Sequence, residues 1–422
     1  MNPFEQHAPK LESCLMDWRD MTPMSYDRHT VDPYTRTRVI LMNGTEFENV
    51  WFSHQMSRNC PNGDLRRAIA MLRRSEQQQQ KLLAALKPAD ETLLETTIGY
   101  EQLAVDLTAQ LAKREPDPYV KAALDFALLE DFDHLYRYAD LLEGENGQRA
   151  ESLVGGYTEI MPGRPTIAHH RHPFDSIKKP IHAQTADLKT RLCVGIITAA
   201  EQQTMNFYMN VCAAYPNDAG RALYREIGLV EEQHVSHYGS LMDVNCTWLE
   251  NLLMHQYTEC YLYYSCMETE TCPQIKKVWE RLFEQELAHL EKAAHLLWRE
   301  EHKEWQQVVG EGTFPSPLQL CSNIPYVRSV LQSTVDLTAC RESYARVSAL
   351  EPETDFFRYQ QHVNHDVEGV ASHTVIEKSI RRNGEDYRFE TAPNPIAALR
   401  DRREDNVEIG RKAMQREPEP VV

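Results

Sequence analysis

One pattern of acidic and histidine residues occurs three times in this chain of 422 residues. In each copy a glutamate is followed by a proline, and then by an acidic residue with a histidine three positions later. An acidic residue and a histidine at positions i and i+3 share one face of a helix. The members are Glu101, Asp131 and His134 in the first copy, Glu201, Glu231 and His234 in the second, and Glu259, Glu286 and His289 in the third.

The prolines lie close to the midpoint of each copy. Pro116 and Pro216 are fifteen residues from the acids on either side, and Pro273 is fourteen and thirteen residues from its acids. Because each helical residue adds about 1.5 Å, similar counts on both sides of a tight turn return the chain to the same height. Each copy therefore predicts a helical hairpin with two carboxylates and one imidazole at one level. Two such hairpins face to face supply the ligands of a di-iron or di-manganese carboxylate site.

The residues around these groups are apolar on the predicted inward face, for example Leu124, Ala127 and Leu128. A buried carboxylate without a partner costs several kcal/mol, and a bound metal ion removes that cost. The alternative is a set of exposed or salt-bridged side chains, which Lys277 and Lys292 favour in the third copy. Carboxylates with imidazole suit iron or manganese better than zinc, and the sequence does not decide between those two metals.

The composition is that of an ordinary soluble protein, with 42% hydrophobic and 26% charged residues. A net charge of −18 argues against nucleic acid and anionic membranes as partners. We find neither a signal-peptide pattern nor an apolar stretch of about eighteen residues, and therefore expect a cytoplasmic protein. The ten cysteines contain no CxxC pair, so a rubredoxin-type iron site is excluded and reduced thiols are expected.

The predicted fold class is all-α, and the chain divides into four parts. Residues 1–63 form an N-terminal extension in which the alternation around Asn43-Gly44 predicts a short β-hairpin. Residues 64–303 form the helical bundle, residues 304–381 a C-terminal helical hairpin, and residues 382–422 a polar tail. The predicted helices are 64–87, 90–114, 118–143, 186–213, 218–242, 247–271, 274–303, 327–349 and 354–381, with a capping box at Thr247 and Glu250.

Four segments resemble the helices of the ferritin-like superfamily, in particular its rubrerythrin and manganese-catalase branches. YEQLAVDLTAQLA and AEQQTMNFYMNVC are similar to the first and third helices, and LEDFDHLYRYADLL and GLVEEQHVSHYGSLMD to the second and fourth. The resemblance covers roughly residues 90–303 and implies a ferritin-like bundle enlarged by an extra hairpin. It implies that two metal ions are held by Glu101, Asp131, His134, Glu201, Glu231 and His234, with Asp131 and Glu231 as the bridging candidates.

The resemblance implies an oxidoreductase of the oxidase, peroxidase or catalase type that acts on O2 or hydrogen peroxide. A reductive activity would need a separate electron donor, and a homo-oligomer is compatible with the family. The chain departs from the family pattern at Asp131, where glutamate is expected and Glu130 stands just before. Two alternatives stay open: a non-catalytic iron- or metal-binding protein, and a structural helical protein that has lost its metal.

Which hairpins pair is also open. The long connection 144–185 suits a crossover between hairpins one and two, whereas the uniform glutamates favour hairpins two and three. His169, His170 and His172 in this connection indicate either a polar loop packed over the bundle or a surface metal or interface role.

Overall fold

The computed structural model describes residues 1–164, 168–364 and 370–384, and the fold of this part is mostly helical. The long helices are α1 Pro33–Asn59, α2 Gly63–Leu86, α3 Leu93–Arg114, α4 Pro118–Asn146, α5 Leu188–Ala214, α6 Asp218–Gly239, α7 Trp248–Thr269 and α8 Pro273–Glu301. The C-terminal part contains α9 Gln306–Val309, α10 Ile324–Thr334, β1 Leu337–Cys340, β2 Ser343–Arg346, α11 Asp355–Asn364 and α12 Ala371–Asn383. The predicted all-α class is thus confirmed at this level.

Local side-chain chemistry sets where several helices begin. The Asp117 carboxylate accepts hydrogen bonds from the first free N–H groups of α4. Thr247 and Glu250 form the predicted capping box at the start of α7, and Thr92 and Glu95 form another at the start of α3. Such caps satisfy backbone donors that the helix itself leaves unpaired.

Eight helices form four antiparallel hairpins within the described residues, and the hairpins pair in two groups. Helices α3 and α4 pack against α5 and α6, which we call the first bundle. Helices α1 and α2 pack against α8 and α7, with α1 on α7 and α2 on α8, which we call the second bundle. Helix α1 also packs on α3 and α5, so the two bundles share a continuous interface. The first hairpin, α1 and α2, thus pairs with the last, α7 and α8. The two middle hairpins pair with each other.

This arrangement corresponds to the pairing of the first two copies of the sequence pattern. The third copy, on α7 and α8, pairs with α1 and α2, and α7 also contacts α5 of the second copy. The connection between α4 and α5 is long enough to cross from one hairpin to the other.

The predicted β-hairpin around Asn43-Gly44 is wrong, because both residues lie inside α1. Helix α1 is buried on several faces, so its sequence lacks the simple period of a surface helix. Gly44 allows α5 to come close: a Cβ atom there would lie 2.9 Å from the Cβ of Gln203. Gly44 is therefore required for the close contact between two helices and not for a turn.

The predicted C-terminal helices need correction as well. The helix expected at 327–349 ends at Thr334, and the chain then forms the antiparallel pair of β1 and β2, in register from Leu337 with Arg346 to Cys340 with Ser343. The helix expected at 354–381 is replaced by α11 and α12. Residues 365–369 and 385–422, including most of the predicted tail, lie outside the described residues.

None of the described helices combines the length and the apolar composition that crossing a membrane requires. All ten cysteines are free thiols, four of them buried.

Candidate metal centre

Four helices of the first bundle each present an acidic side chain to one level of its interior. Helix α3 contributes one residue, α4 two, α5 one and α6 two, and each is at most 1% exposed. The apolar faces of the same helices enclose this level above and below. These residues are Glu101, Asp131, His134, Glu201, Glu231 and His234.

The six residues form two overlapping groups of potential ligands. Glu101, Asp131, His134 and Glu231 place one donor atom each within 4.8 Å of one another. Asp131, Glu201, Glu231 and His234 do the same. Asp131 and Glu231 belong to both groups, and each group has one histidine and one further glutamate of its own. The arrangement has the form of two adjacent cation sites with two shared carboxylates.

The distances between the donor atoms are short enough for these atoms to bind the same ion. His134 Nδ1 lies 2.9 Å from Glu231 Oε1. His234 Nδ1 lies 3.1 Å from Asp131 Oδ1, 3.3 Å from Glu231 Oε2 and 3.5 Å from Glu201 Oε2. The two imidazole rings are 6.0 Å apart between centroids.

Most of these donor atoms have no hydrogen-bond partner among the described residues. This holds for both carboxylate oxygens of Asp131, Glu201 and Glu231, for both nitrogens of His134 and for His234 Nδ1. A buried polar atom without a partner costs about 1–3 kcal/mol, and more when it is charged. A divalent cation would satisfy these atoms together, so the residues present fit a metal centre of the carboxylate and imidazole type.

The pKa values of the acids and of His234 also favour a bound cation at this site. Burial, together with the neighbouring Glu231 for Glu101 and Asp131 for Glu201, raises the pKa of both glutamates well above the usual range. Burial also acts on Glu231, but the proximity of His134 and His234 lowers its pKa overall. Burial alone would lower the pKa of His234, yet Asp131 and other carboxylates raise it well above its usual value. Without metal, the centre therefore holds protons that a cation would displace.

Glu130 was not predicted as a functional residue, and it orients one of the histidines. Its Oε2 lies 2.8 Å from His234 Nε2, and its Oε1 is paired with Arg164 at 3.2 Å and with Arg171. Although burial opposes ionisation, Arg171 and its neighbours keep the pKa of Glu130 well below its usual value. With Nε2 donating to Glu130, Nδ1 of His234 is left to face the ligand group, a common arrangement around metal-bound histidine.

The two arginines come from the connection between α4 and α5, which packs over the centre. His169 and His170 of the same segment are buried, with His169 Nε2 2.9 Å from the Arg164 carbonyl oxygen. The His169 ring lies 5.2 Å from that of His134. Of the two interpretations of the His-rich segment, the structure therefore shows the polar loop packed over the bundle, with only His172 partly exposed.

A series of tyrosines leads away from the centre. The Tyr208 hydroxyl donates to Glu101 Oε1. Its ring lies 5.6 Å from that of Tyr224, which lies 5.2 Å from Tyr215. The Tyr215 hydroxyl donates to Glu145, an exposed residue at the end of α4. Aromatic rings thus connect the candidate ligand Glu101 with the protein surface.

The three remaining candidates do not join this centre. Glu259, Glu286 and His289 lie in the second bundle, where they are buried together with Glu46 of α1 and Glu76 of α2. The sequence pattern missed Glu46 because α1 was interpreted as a β-hairpin, and missed Glu76 because glutamine, not histidine, follows three positions later.

Comparisons of the chain with protein-family models, with curated proteins and with solved structures gave no match.

Proposed function

We propose that the first bundle binds two iron or manganese ions and that the protein is a dimetal carboxylate oxidoreductase acting on O2 or hydrogen peroxide. The observation that carries this proposal is the pair of overlapping ligand groups that share Asp131 and Glu231. A single-ion site would need only one group. The donor atoms of the two groups approach one another, and most of them have no hydrogen-bond partner outside the six residues.

The proposed roles follow from membership in the two groups. Glu101 and His134 would hold one ion and Glu201 and His234 the other, and Asp131 and Glu231 are available to both. We also propose that the first bundle belongs to the ferritin-like superfamily, on the strength of this ligand order along its four helices.

The bound metal pair supplies the change of oxidation state that O2 or peroxide chemistry requires. Burial raises the pKa values of Glu101 and Glu201 in the metal-free protein, so both acids would release protons when the ions bind. Burial of all six residues keeps bulk water from the centre, which strengthens every electrostatic interaction within it.

The tyrosines from Tyr208 to Tyr215 supply a route for electrons from the surface. Their ring spacings are 5.6 and 5.2 Å. This route suits a separate electron donor, which the chain needs for a reductive activity because it has no rubredoxin-type cysteines. A disproportionation of peroxide would not need that donor.

The test is to load the metal-free protein with Fe(II) or Mn(II) without oxygen and to mix it with hydrogen peroxide or O2 in a stopped-flow instrument. We expect an absorbance change of the metal and loss of the oxidant, faster than with the free metal. The double variant E231A/H234A should lose both. A fully loaded wild-type protein that consumes neither oxidant would favour the alternative of non-catalytic metal binding.

A further inference from the structure

The second bundle has a buried acidic cluster of its own. Each of its four helices contributes a carboxylate, and α8 adds a histidine one turn further along. All five side chains are at most 1% exposed. The cluster consists of Glu46, Glu76, Glu259, Glu286 and His289.

Every one of these carboxylates has one oxygen fixed by a hydrogen bond. Glu46 Oε1 accepts from the Tyr263 hydroxyl, and Glu286 Oε1 accepts from the Gln79 amide at 2.8 Å.

Two further amides hold the remaining pair of carboxylates. Glu76 Oε1 accepts from Asn49 at 3.0 Å and from Gln256 at 2.9 Å. Glu259 Oε2 accepts from the same two amides, at 3.1 Å from Gln256.

The second oxygen of each carboxylate has no hydrogen-bond partner anywhere in the described residues. These atoms are Oε2 of Glu46, Glu76 and Glu286 and Oε1 of Glu259, and His289 Nε2 is in the same state. The amide oxygens of Asn49, Gln79 and Gln256 also lack partners. A hydrogen bond to one oxygen orients a carboxylate and leaves the other free, which is how outer residues position metal ligands.

The cluster also lacks compensating charge. None of its four carboxylates forms an ion pair with lysine or arginine in the described residues, and His289 Nδ1, 2.9 Å from Glu286 Oε1, is the one charged neighbour in contact. Burial raises the pKa of Glu76 to about 7 and those of Glu46 and Glu259 well above the usual range. Without a cation the cluster must therefore retain protons, and a cation would replace them.

We propose that the second bundle is a second metal site, which takes one divalent cation, Mn²⁺ or Fe²⁺, between Glu259, Glu286 and His289 and the acids of α1 and α2. One ion is expected because Gln79 stands three positions after Glu76, where the first bundle has a second histidine. The cluster does not bring three acidic or histidine donors within 4.8 Å of one another, unlike the first bundle. Binding therefore draws the free oxygens inward around the ion. The proposal does not depend on the reaction proposed for the first bundle.

The experiment is anaerobic titration of metal-free protein with Mn(II), with bound metal counted by elemental analysis after desalting. Wild-type protein should bind about three ions, E286Q/H289Q about two, and E231A/H234A about one. E284Q removes an exposed carboxylate of the same helix α8 and should bind as wild type does. Full metal content in E286Q/H289Q, or none in E231A/H234A, would overturn the second site.

A gain-of-ligand variant covers the case in which E286Q/H289Q does not fold, as judged by circular dichroism. Q79H restores the acidic-x-x-His pattern on α2, places a second imidazole beside the cluster and exchanges the Gln79 amide that holds Glu286 for an imidazole N–H that can also donate. We expect Mn(II) to bind the E231A/H234A background more tightly once Q79H is added. Unchanged or weaker binding in a folded Q79H protein would contradict the proposal.

Discussion

The adjacent acids Glu130 and Asp131 on α4 have different roles. Asp131 belongs to both ligand groups of the first bundle, whereas Glu130 faces Arg164 and Arg171 and holds His234 by its Nε2. Neighbouring helix positions point about 100° apart, so a ligand and the residue that orients another ligand fit on consecutive positions. Asp131, which differs from the glutamate of the proteins that the sequence resembles, is thus accompanied by a glutamate that supports the histidine of the facing helix.

Glu130→Gln tests this positioning role. The amide keeps the size of the side chain but removes the charge that balances two buried arginines and fixes the His234 tautomer. We expect metal affinity to fall about 10- to 100-fold, the usual effect of changing a residue that orients a ligand. Competition with a fluorescent chelator measures it.

Glu232→Gln is a suitable control, because Glu232 is exposed on α6 beside the ligand Glu231. A Glu130→Gln protein with wild-type affinity, or an equal loss in the control, would show that Glu130 does not position His234.

At the scale of elements, the connection between α4 and α5 is attached to α4 by a close backbone approach. A Cβ atom at Gly163 would lie 2.4 Å from the carbonyl oxygen of Leu129 and 3.0 Å from the amide of Asp133. The Gly163 N–H donates to Asp133 Oδ1 at 2.8 Å. Glycine is required here because the obstacle is backbone, which cannot rotate away, and Arg164 follows directly.

Gly163→Ala should therefore push the connection off α4. We expect a loss of about 1–3 kcal/mol in the free energy of unfolding, as for other overpacked positions, and weaker metal binding through the displaced Arg164. Chemical denaturation and metal titration measure the two effects.

Gly195→Ala on α5 is the matched control. A Cβ atom there meets nothing within 4 Å, so alanine should be neutral or stabilising in this helix. Equal stability of both variants would show that the connection does not depend on the close approach.

The sequence predicted the elements whose signals are local. Helices α3 to α8 follow from their apolar period, prolines and caps. The i, i+3 spacing of acid and histidine identified four of the residues that meet in the first bundle, and the equal distances to the turn prolines identified Glu101 and Glu201. The predictions from sequence failed where tertiary packing determines the secondary structure. The sequence around Gly44 is typical of a turn, but this glycine lies in α1 where α5 packs against it. Residues 337–346 contain a strand pair although the sequence pattern predicted a helix there. The arginines over the centre come from a segment without any period, so no local signal identifies them.

At the scale of the molecule, two bundles each enclose carboxylates at one level, and α1 packs against helices of both. Among the described residues, no lysine or arginine forms an ion pair with the candidate ligands of either bundle. The protein therefore buries more acidic than basic groups in its two cores. Its stability should depend on the protons or cations that neutralise these acids.

This dependence gives a pH effect with a definite sign. Glu46, Glu101, Glu201 and Glu259 have pKa values raised above their usual ones, and that of Glu76 is raised to about 7. A carboxyl whose pKa is raised in the folded state adds stability while it is protonated, and this is lost as the pH rises through the folded pKa. The metal-free protein should therefore melt at a lower temperature at about pH 8 than at about pH 6.

Metal should reverse that trend, because its binding displaces the same protons and becomes stronger as the pH rises. Thermal melts with chelator and with added Mn(II) across this range make the comparison. A melting temperature of the metal-free protein that rises with pH would contradict the assignment of buried protonated carboxyls.

The most direct test of the central claim is electron paramagnetic resonance of the E286Q/H289Q protein, titrated with Mn(II). Because Asp131 and Glu231 belong to both ligand groups, two ions in the first bundle would be close neighbours, as in other two-metal sites. We expect the spectrum of a magnetically coupled manganese pair, complete at about two ions per chain and lost in protein that also carries E231A/H234A. Signals of isolated Mn(II) alone, or saturation at a single ion, would contradict a dimetal centre.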